Sequence, residues 1–122
     1  MKLIGHTGSV QDIVWRPGSA TELASVGTDK SVHTWDSRQD KPTAILKSAH
    51  GADNDVQAID WCDVHDNHLL LTGAEDGSLR VWDVRKLRAK ERLWQGGLPE
   101  GPPVLRVQWH PSARGVFASS GG

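Results

Sequence analysis

Residues 25–38 read Ser25-Val26-Gly27-Thr28-Asp29-Lys30-Ser31-Val32-His33-Thr34-Trp35-Asp36-Ser37-Arg38, and residues 72–85 read Thr72-Gly73-Ala74-Glu75-Asp76-Gly77-Ser78-Leu79-Arg80-Val81-Trp82-Asp83-Val84-Arg85. Aligned on tryptophan, the two stretches share a hydroxyl residue ten positions earlier (Ser25, Thr72), an aspartate six earlier (Asp29, Asp76) and the pair Trp35-Asp36 or Trp82-Asp83. Each also has a histidine well upstream, in Gly5-His6 and in Ala49-His50. Several independent matched offsets mark an internal repeat. A third copy is begun: Val10, Ile13 and Trp15, then Val56, Ile59 and Trp61, then Val104, Val107 and Trp109 stand at the same mutual offsets. The repeats run over about 5–48 and about 49–95, with a partial third over about 96–122.

Offsets of zero, three and five fit neither a helix face nor strict alternation. They fit a strand carrying one extra residue, a bulge, before a return to period two. Short β-rich runs follow at Leu23 to Val26, Ser31 to Trp35, Ala44 to Lys47, Leu69 to Gly73, Leu79 to Trp82 and Val116 to Ser119. Gly27-Thr28-Asp29-Lys30 and Ala74-Glu75-Asp76-Gly77 suit tight hairpin turns. No stretch reads as a long helix, and the expected class is all-β.

Composition narrows the function classes. Of 122 residues, 24% are charged and 37% hydrophobic, too apolar for a disordered chain and too polar for one living in a membrane. A net charge of -1 supplies no global field for nucleic acid or anionic lipid, so any partner is recognised locally. The lone Cys62 excludes a disulfide framework and suits a reducing compartment, nucleus or cytoplasm. No run approaches a membrane span, and residues 1–10 lack the apolar stretch of a signal peptide. The aromatic surface is nearly all tryptophan, six against one Phe and no Tyr, as expected of recurring positions.

Three constellations have residue types that could carry chemistry. His6, Ser25 and Asp29, with His50, Thr72 and Asp76, look like base, nucleophile and orienter. Their duplication argues for a structural role, since a catalytic site is seldom copied into every repeat. Cys62, His65 and His68, with Asp63 or Asp66, have zinc-ligand spacing, but no other repeat has anything similar, and the expected reading is a polar hairpin loop. The basic stretch Arg85, Lys86, Arg88, Lys90 and Arg92 has no interleaved aromatic to stack bases until Trp94, so it reads as a solvated loop without direct nucleic-acid contact. No catalytic residue, metal or cofactor is expected.

The Gly-His and Trp-Asp repeat of this length resembles the WD-repeat β-propeller family along the whole chain from Gly5 to Gly122. The resemblance implies an all-β fold: an incomplete WD-repeat β-propeller of about two and a half four-stranded blades. Because propellers close with roughly four to eight blades, the chain is expected to be part of a longer protein and to be unstable by itself. The family's pattern implies a blade latch from Trp35 through Ser25 and His6 to Asp29, and from Trp82 through Thr72 and His50 to Asp76. Trp35-Asp36-Ser37-Arg38 and Trp82-Asp83-Val84-Arg85 resemble the motif by which substrate receptors dock on the adaptor of cullin-RING ubiquitin ligases.

Within the family, Val10-Gln11-Asp12-Ile13-Val14-Trp15, Ala24-Ser25-Val26-Gly27-Thr28-Asp29 and Val107-Gln108-Trp109 look like the histone-binding proteins related to the retinoblastoma-binding chaperones. Arg80-Val81-Trp82-Asp83-Val84-Arg85-Lys86-Leu87 is similar to their plant-type, chromatin-silencing branch. This likeness implies a non-catalytic, nuclear or also cytoplasmic scaffold that binds histone tails or other basic peptides alongside deacetylase-type chromatin-complex subunits. Gln11, Gln57 and Leu105 are then expected at the channel mouth, and Asp53, Asp55, Glu75 and Glu100 on an acidic rim opposed by Lys30. Family members commonly carry an acidic residue where Gln11 stands; Gln11 keeps a hydrogen-bonding group without the charge. Gly115-Val116-Phe117-Ala118 is shared instead with glutamate-rich WD-repeat ribosome-assembly proteins, the alternative reading beside a ligase receptor.

Overall fold

The computed structural model describes residues 4–62, 68–98, 100–113 and 115–121. Two four-stranded antiparallel sheets follow one another along the chain. The first is β1 (Val10–Trp15), β2 (Glu22–Gly27), β3 (Val32–Asp36) and β4 (Ala44–Leu46); the second is β5 (Val56–Trp61), β6 (Leu69–Ala74), β7 (Ser78–Asp83) and β8 (Arg92–Gly97). β9 (Val104–Trp109) and β10 (Phe117–Gly121) form a two-stranded sheet. Each strand pairs with its sequence neighbour, so every sheet is a meander, the blade of a propeller.

The expected bulge is present three times. Pairing skips from Val10 to Asp12 and from Val56 to Ala58, and β9 skips from Val104 to Arg106, leaving Gln11, Gln57 and Leu105 as the extra residues. The bulge turns the strand so that the residues at offsets zero, three and five share one face. In β5 that face packs Val56, Ile59 and Trp61 against Ala24, Val26, Val32 and Leu46 of the first sheet. In β9 it packs Val104, Val107 and Trp109 against Ala58, Leu71, Leu79 and Val81 of the second. The middle blade is therefore covered on both sides.

Both hairpin turns close with a residue in the left-handed region. Lys30 (φ 68) and Gly77 (φ 85) occupy equivalent places, each donating its N–H to the residue three back, Gly27 and Ala74. At Gly77 a β-carbon would also strike the Leu98 carbonyl, so glycine answers a steric demand as well as a conformational one.

The basic stretch departs from the expected loop. Val84–Ala89 form two short 3-10 turns joined across a kink at Lys86 (φ -122, ψ 20); the N-cap Asp83 accepts from the Arg85 N–H, and Lys90 (φ 57) ends the segment by donating its N–H to the Leu87 carbonyl. Leu87 is the reason: it is buried in the cluster between the first two sheets, which fixes the segment. The strand that follows, β8, pairs with β7 from Ser78↔Gly97 to Trp82↔Arg92. Its sequence Arg-Leu-Trp-Gln-Gly-Gly has neither clean alternation nor β-branched residues, so the register rests on pairing rather than on pattern. Gln95-Gly96-Gly97, which stands where a third Gly-His would begin, lies in this strand.

Candidate functional site

The latch residues meet through directed hydrogen bonds. In the first blade, Trp35 Nε1 donates to Ser25 Oγ at 2.8 Å, Ser25 Oγ lies 2.6 Å from His6 Nε2, and His6 Nδ1 lies 2.9 and 3.0 Å from the two oxygens of Asp29. The indole can only donate and the carboxylate only accept, so the chain runs one way and assigns the His6 proton to Nδ1. Burial works against the Asp29 carboxylate, but hydrogen bonds from Ser31 and His6 outweigh it and hold its pKa below the ordinary value.

The second blade differs by one link. Trp82 Nε1 donates to Thr72 Oγ1 at 2.9 Å and Thr72 meets His50 Nε2 at 2.6 Å, but His50 Nδ1 meets Ser78 Oγ at 2.7 Å, and Ser78 passes the bond to Asp76 at 2.6 Å. The expected His50–Asp76 contact is thus relayed by a serine. Ser31 stands at the equivalent place in the first blade and bonds Asp29 at 2.7 Å. Both serines lie four residues before their tryptophan, so the relay position also repeats at a matched offset. Burial, and next the Arg80 charge, depress the His50 pKa to about 3.

Ser25 and Thr72 are fully buried, bridging an indole and an imidazole, so neither hydroxyl can meet a substrate as a nucleophile. Cys62 is buried as well. His68 Nδ1 is taken by Arg16 Nη2 at 2.8 Å, while Asp63, His65 and Asp66 lie outside the described residues.

The first blade adds a residue with no counterpart in the second. His33 stacks on His6 with ring centroids 3.8 Å apart and planes inclined by 19°, and burial, followed by the His6 charge, lowers its pKa to about 4. His6, Asp29 and His33 bring three ligand-type atoms within 4.8 Å of one another. Imidazole lone pairs lie in the ring plane, and two rings stacked 3.8 Å apart in nearly parallel planes do not bring both lone pairs onto one ion.

The bulge residues share a surface. Gln11, Gln57 and Leu105 line a cavity of about 530 Å³ between β1, β5 and β9. Two aspartates there fasten neighbouring blades: Asp12 accepts from the Ile59 N–H at 3.1 Å, and Asp60 from the Trp109 N–H at 2.7 Å. They stand at different places in their repeats, so no shared offset announced them.

The acidic rim is partly occupied by its own structure. Asp55 Oδ1 pairs with Lys30 Nζ at 3.0 Å, and Glu75 Oε1 accepts from the Asp55 N–H at 3.0 Å. Asp55 and Glu75 are thus engaged within the chain, whereas Asp53 is exposed and makes no hydrogen bond or ion pair among the described residues, its charge adding to the field at Lys30. Lys30, held in turn by Asp55, has its pKa raised and ties the first blade's hairpin to the entry of β5.

The two Trp-Asp-x-Arg motifs are built alike. Arg38 forks onto Asp36 (Nε–Oδ1 2.9 Å, Nη2–Oδ2 2.6 Å) and Arg85 onto Asp83 (3.0 and 2.7 Å). The Arg38 hydrogen bonds bring the Asp36 pKa down to about 2. Each aspartate is buried and each arginine exposed, so the fork fixes the guanidinium on its own repeat while the side chain stays at the surface.

The family described as "WD domain, G-beta repeat" matches residues 1–36 and 41–83. The chain belongs to the WD-repeat family. The second match begins before β4 and ends with β7, so a WD repeat here comprises the last strand of one blade and the first three of the next. Over 107 residues the chain is 40% identical to the WD-40 repeat-containing protein MSI4 of Arabidopsis thaliana, covering 87% of this chain and 19% of that protein. It is 28% identical to the GATOR2 complex protein WDR59 of Mus musculus, over 97% of this chain and 11% of the other. A chain in the crystal structure of the Mitotic Checkpoint Complex superposes with a TM-score of 0.77 at 30% identity, covering 98% of this chain and 34% of that one. The chain thus spans between 11% and 34% of the length of these relatives.

Proposed function

We propose that this WD-repeat chain belongs to a non-catalytic scaffold of chromatin-modifying complexes, working in the nucleus and holding basic histone-tail segments at the mouth of its channel. The observation that supports this is the cavity lined by the bulge amides Gln11 and Gln57, together with the exposed Asp53 carboxylate at the entry to β5. Amide groups accept from Lys or Arg side chains, and an exposed carboxylate can add a charge-assisted bond. The 40% identity to MSI4 is in keeping with the plant-type resemblance in the sequence. Anisotropy with labelled histone H3 and H4 tail peptides tests it on the full chain: binding should weaken on Gln57→Ala and Asp53→Asn. Binding unchanged in both variants, or no binding at all, would contradict the proposal.

A second reading rests on the two forked arginines. Both are exposed at the surface, as docking on the adaptor of a cullin-RING ligase requires, and Arg38→Ala with Arg85→Ala should abolish capture of the purified adaptor while leaving tail binding intact.

A further inference from the structure

The segment between the second Trp-Asp pair and β8 is an unusual way to connect two strands. In the first blade the corresponding connection, residues 37–43, has no helix. In the second it carries Arg85, Lys86, Arg88, Lys90 and Arg92 against the single acid Glu91, in a chain whose net charge is -1. The cations do not hang on a loose loop. Buried Leu87 pins the 3-10 helix to the core, Arg88 Nη2 donates to the Thr43 carbonyl of the neighbouring blade at 2.8 Å, and Lys90 holds a left-handed backbone to end the turn. Arg85 is paired with Asp83, but among the described residues Lys86, Arg88, Lys90 and Arg92 have no carboxylate within ion-pair distance. All four are exposed.

Concentrating like charges on a fixed element costs self-repulsion, which a counter-charged partner removes. We propose that this ridge is a docking surface for an acidic peptide segment, independent of the channel mouth and of opposite sign to the rim around Asp53. A peptide fits better than nucleic acid. The ridge is short, two helical turns with their flanks, and has no aromatic in the turns themselves to stack a base.

The test is fluorescence anisotropy with a labelled peptide of about twelve glutamate, aspartate and serine residues, titrated with the full chain. Among the described residues the side chains of Lys86, Lys90 and Arg92 make no hydrogen bond, and the Lys90 N–H that closes the segment is backbone, so Lys86→Gln/Lys90→Gln/Arg92→Gln should fold with an unchanged melting curve. Its affinity for the peptide should fall on the order of tenfold, and wild-type binding should weaken between about 50 and 200 mM salt. Asp53→Asn should leave this binding unchanged or slightly tighter. No binding by wild type, equal binding by a correctly folded triple variant, or tighter binding of a single-stranded DNA of equal charge would each overturn the proposal.

Discussion

β1 and β5 are nearly the same strand in different company. Each begins with valine, carries its bulge at glutamine, and continues to isoleucine and tryptophan at the same offsets. Trp61 is 4% exposed because the first blade lies against it, and Trp109, in turn against the second blade, is 7% exposed; Trp15, with no sheet before it among the described residues, is 49% exposed. Val10 and Ile13 show the same contrast with buried Val56 and Ile59. Burial of this face is therefore a property of the pair of blades and not of the residue. The strand sequence specifies a surface able to become core, and a neighbouring sheet makes it core.

The comparison can be broken most directly by truncation. Within the 122 residues, Trp61→Ala removes a ring packed between two sheets and should cost about 3–5 kcal/mol, whereas Trp15→Ala, on a face that no described sheet covers, should cost less than about 1 kcal/mol. Urea unfolding of the two variants measures the difference, and equal losses would mean that the blades do not pack as described.

The latches sharpen the comparison through pH. His33 and His50 are held neutral by burial, with pKa values near 4 and 3 against an ordinary 6.5. A depressed histidine pKa means that the unfolded chain binds protons first. Stability is then fully present above about pH 6.5 and falls as pH drops toward 4 and then 3. Asp29 and Asp76, with lowered values, lose their contribution only below the ordinary carboxylate range, in the same direction. Because His33 has no counterpart in the second blade, His33→Leu should flatten the stability loss between pH 6.5 and 4 by an amount on the order of 2 kcal/mol. A pH profile parallel to wild type would remove His33 from the account.

The hairpins give the smallest effect. Gly77→Ala sets a side chain in a left-handed backbone and against the Leu98 carbonyl, and should cost about 1–2 kcal/mol. Lys30→Gly relieves the same backbone strain in the first blade but loses the Asp55 pair, so it should change stability by less than about 1 kcal/mol. Thermal melts distinguish the two.

Much of this architecture was legible because repetition makes offsets comparable. The bulge was implied by valine, isoleucine and tryptophan at zero, three and five, and it falls at Gln11, Gln57 and Leu105. The latch residues were aligned by their distance from tryptophan, including the overlooked Ser31 and Ser78. What escaped was whatever a single repeat does alone. β8 lacks a pattern of its own, the 3-10 helix depends on one buried leucine, and Asp12 and Asp60 fasten blades from unmatched positions. His33 was likewise hidden, since stacking on His6 depends on where the neighbouring strand places both rings. Of the rim carboxylates, sequence showed their charge but not that Asp55 and Glu75 were already engaged.

The six tryptophans allow the central contrast to be read in one spectrum. The 122-residue chain would be labelled with 5-fluorotryptophan, and its fluorine resonances assigned by single Trp→Phe variants and followed as a soluble paramagnetic relaxation agent is added. Trp15 and Trp94 should broaden, while Trp35, Trp61, Trp82 and Trp109 remain sharp, because only the first two meet solvent. Equal protection of Trp15 and Trp61, or broadening of Trp61 and Trp109 together with Trp15, would contradict the claim that one strand face becomes core only where another blade lies against it.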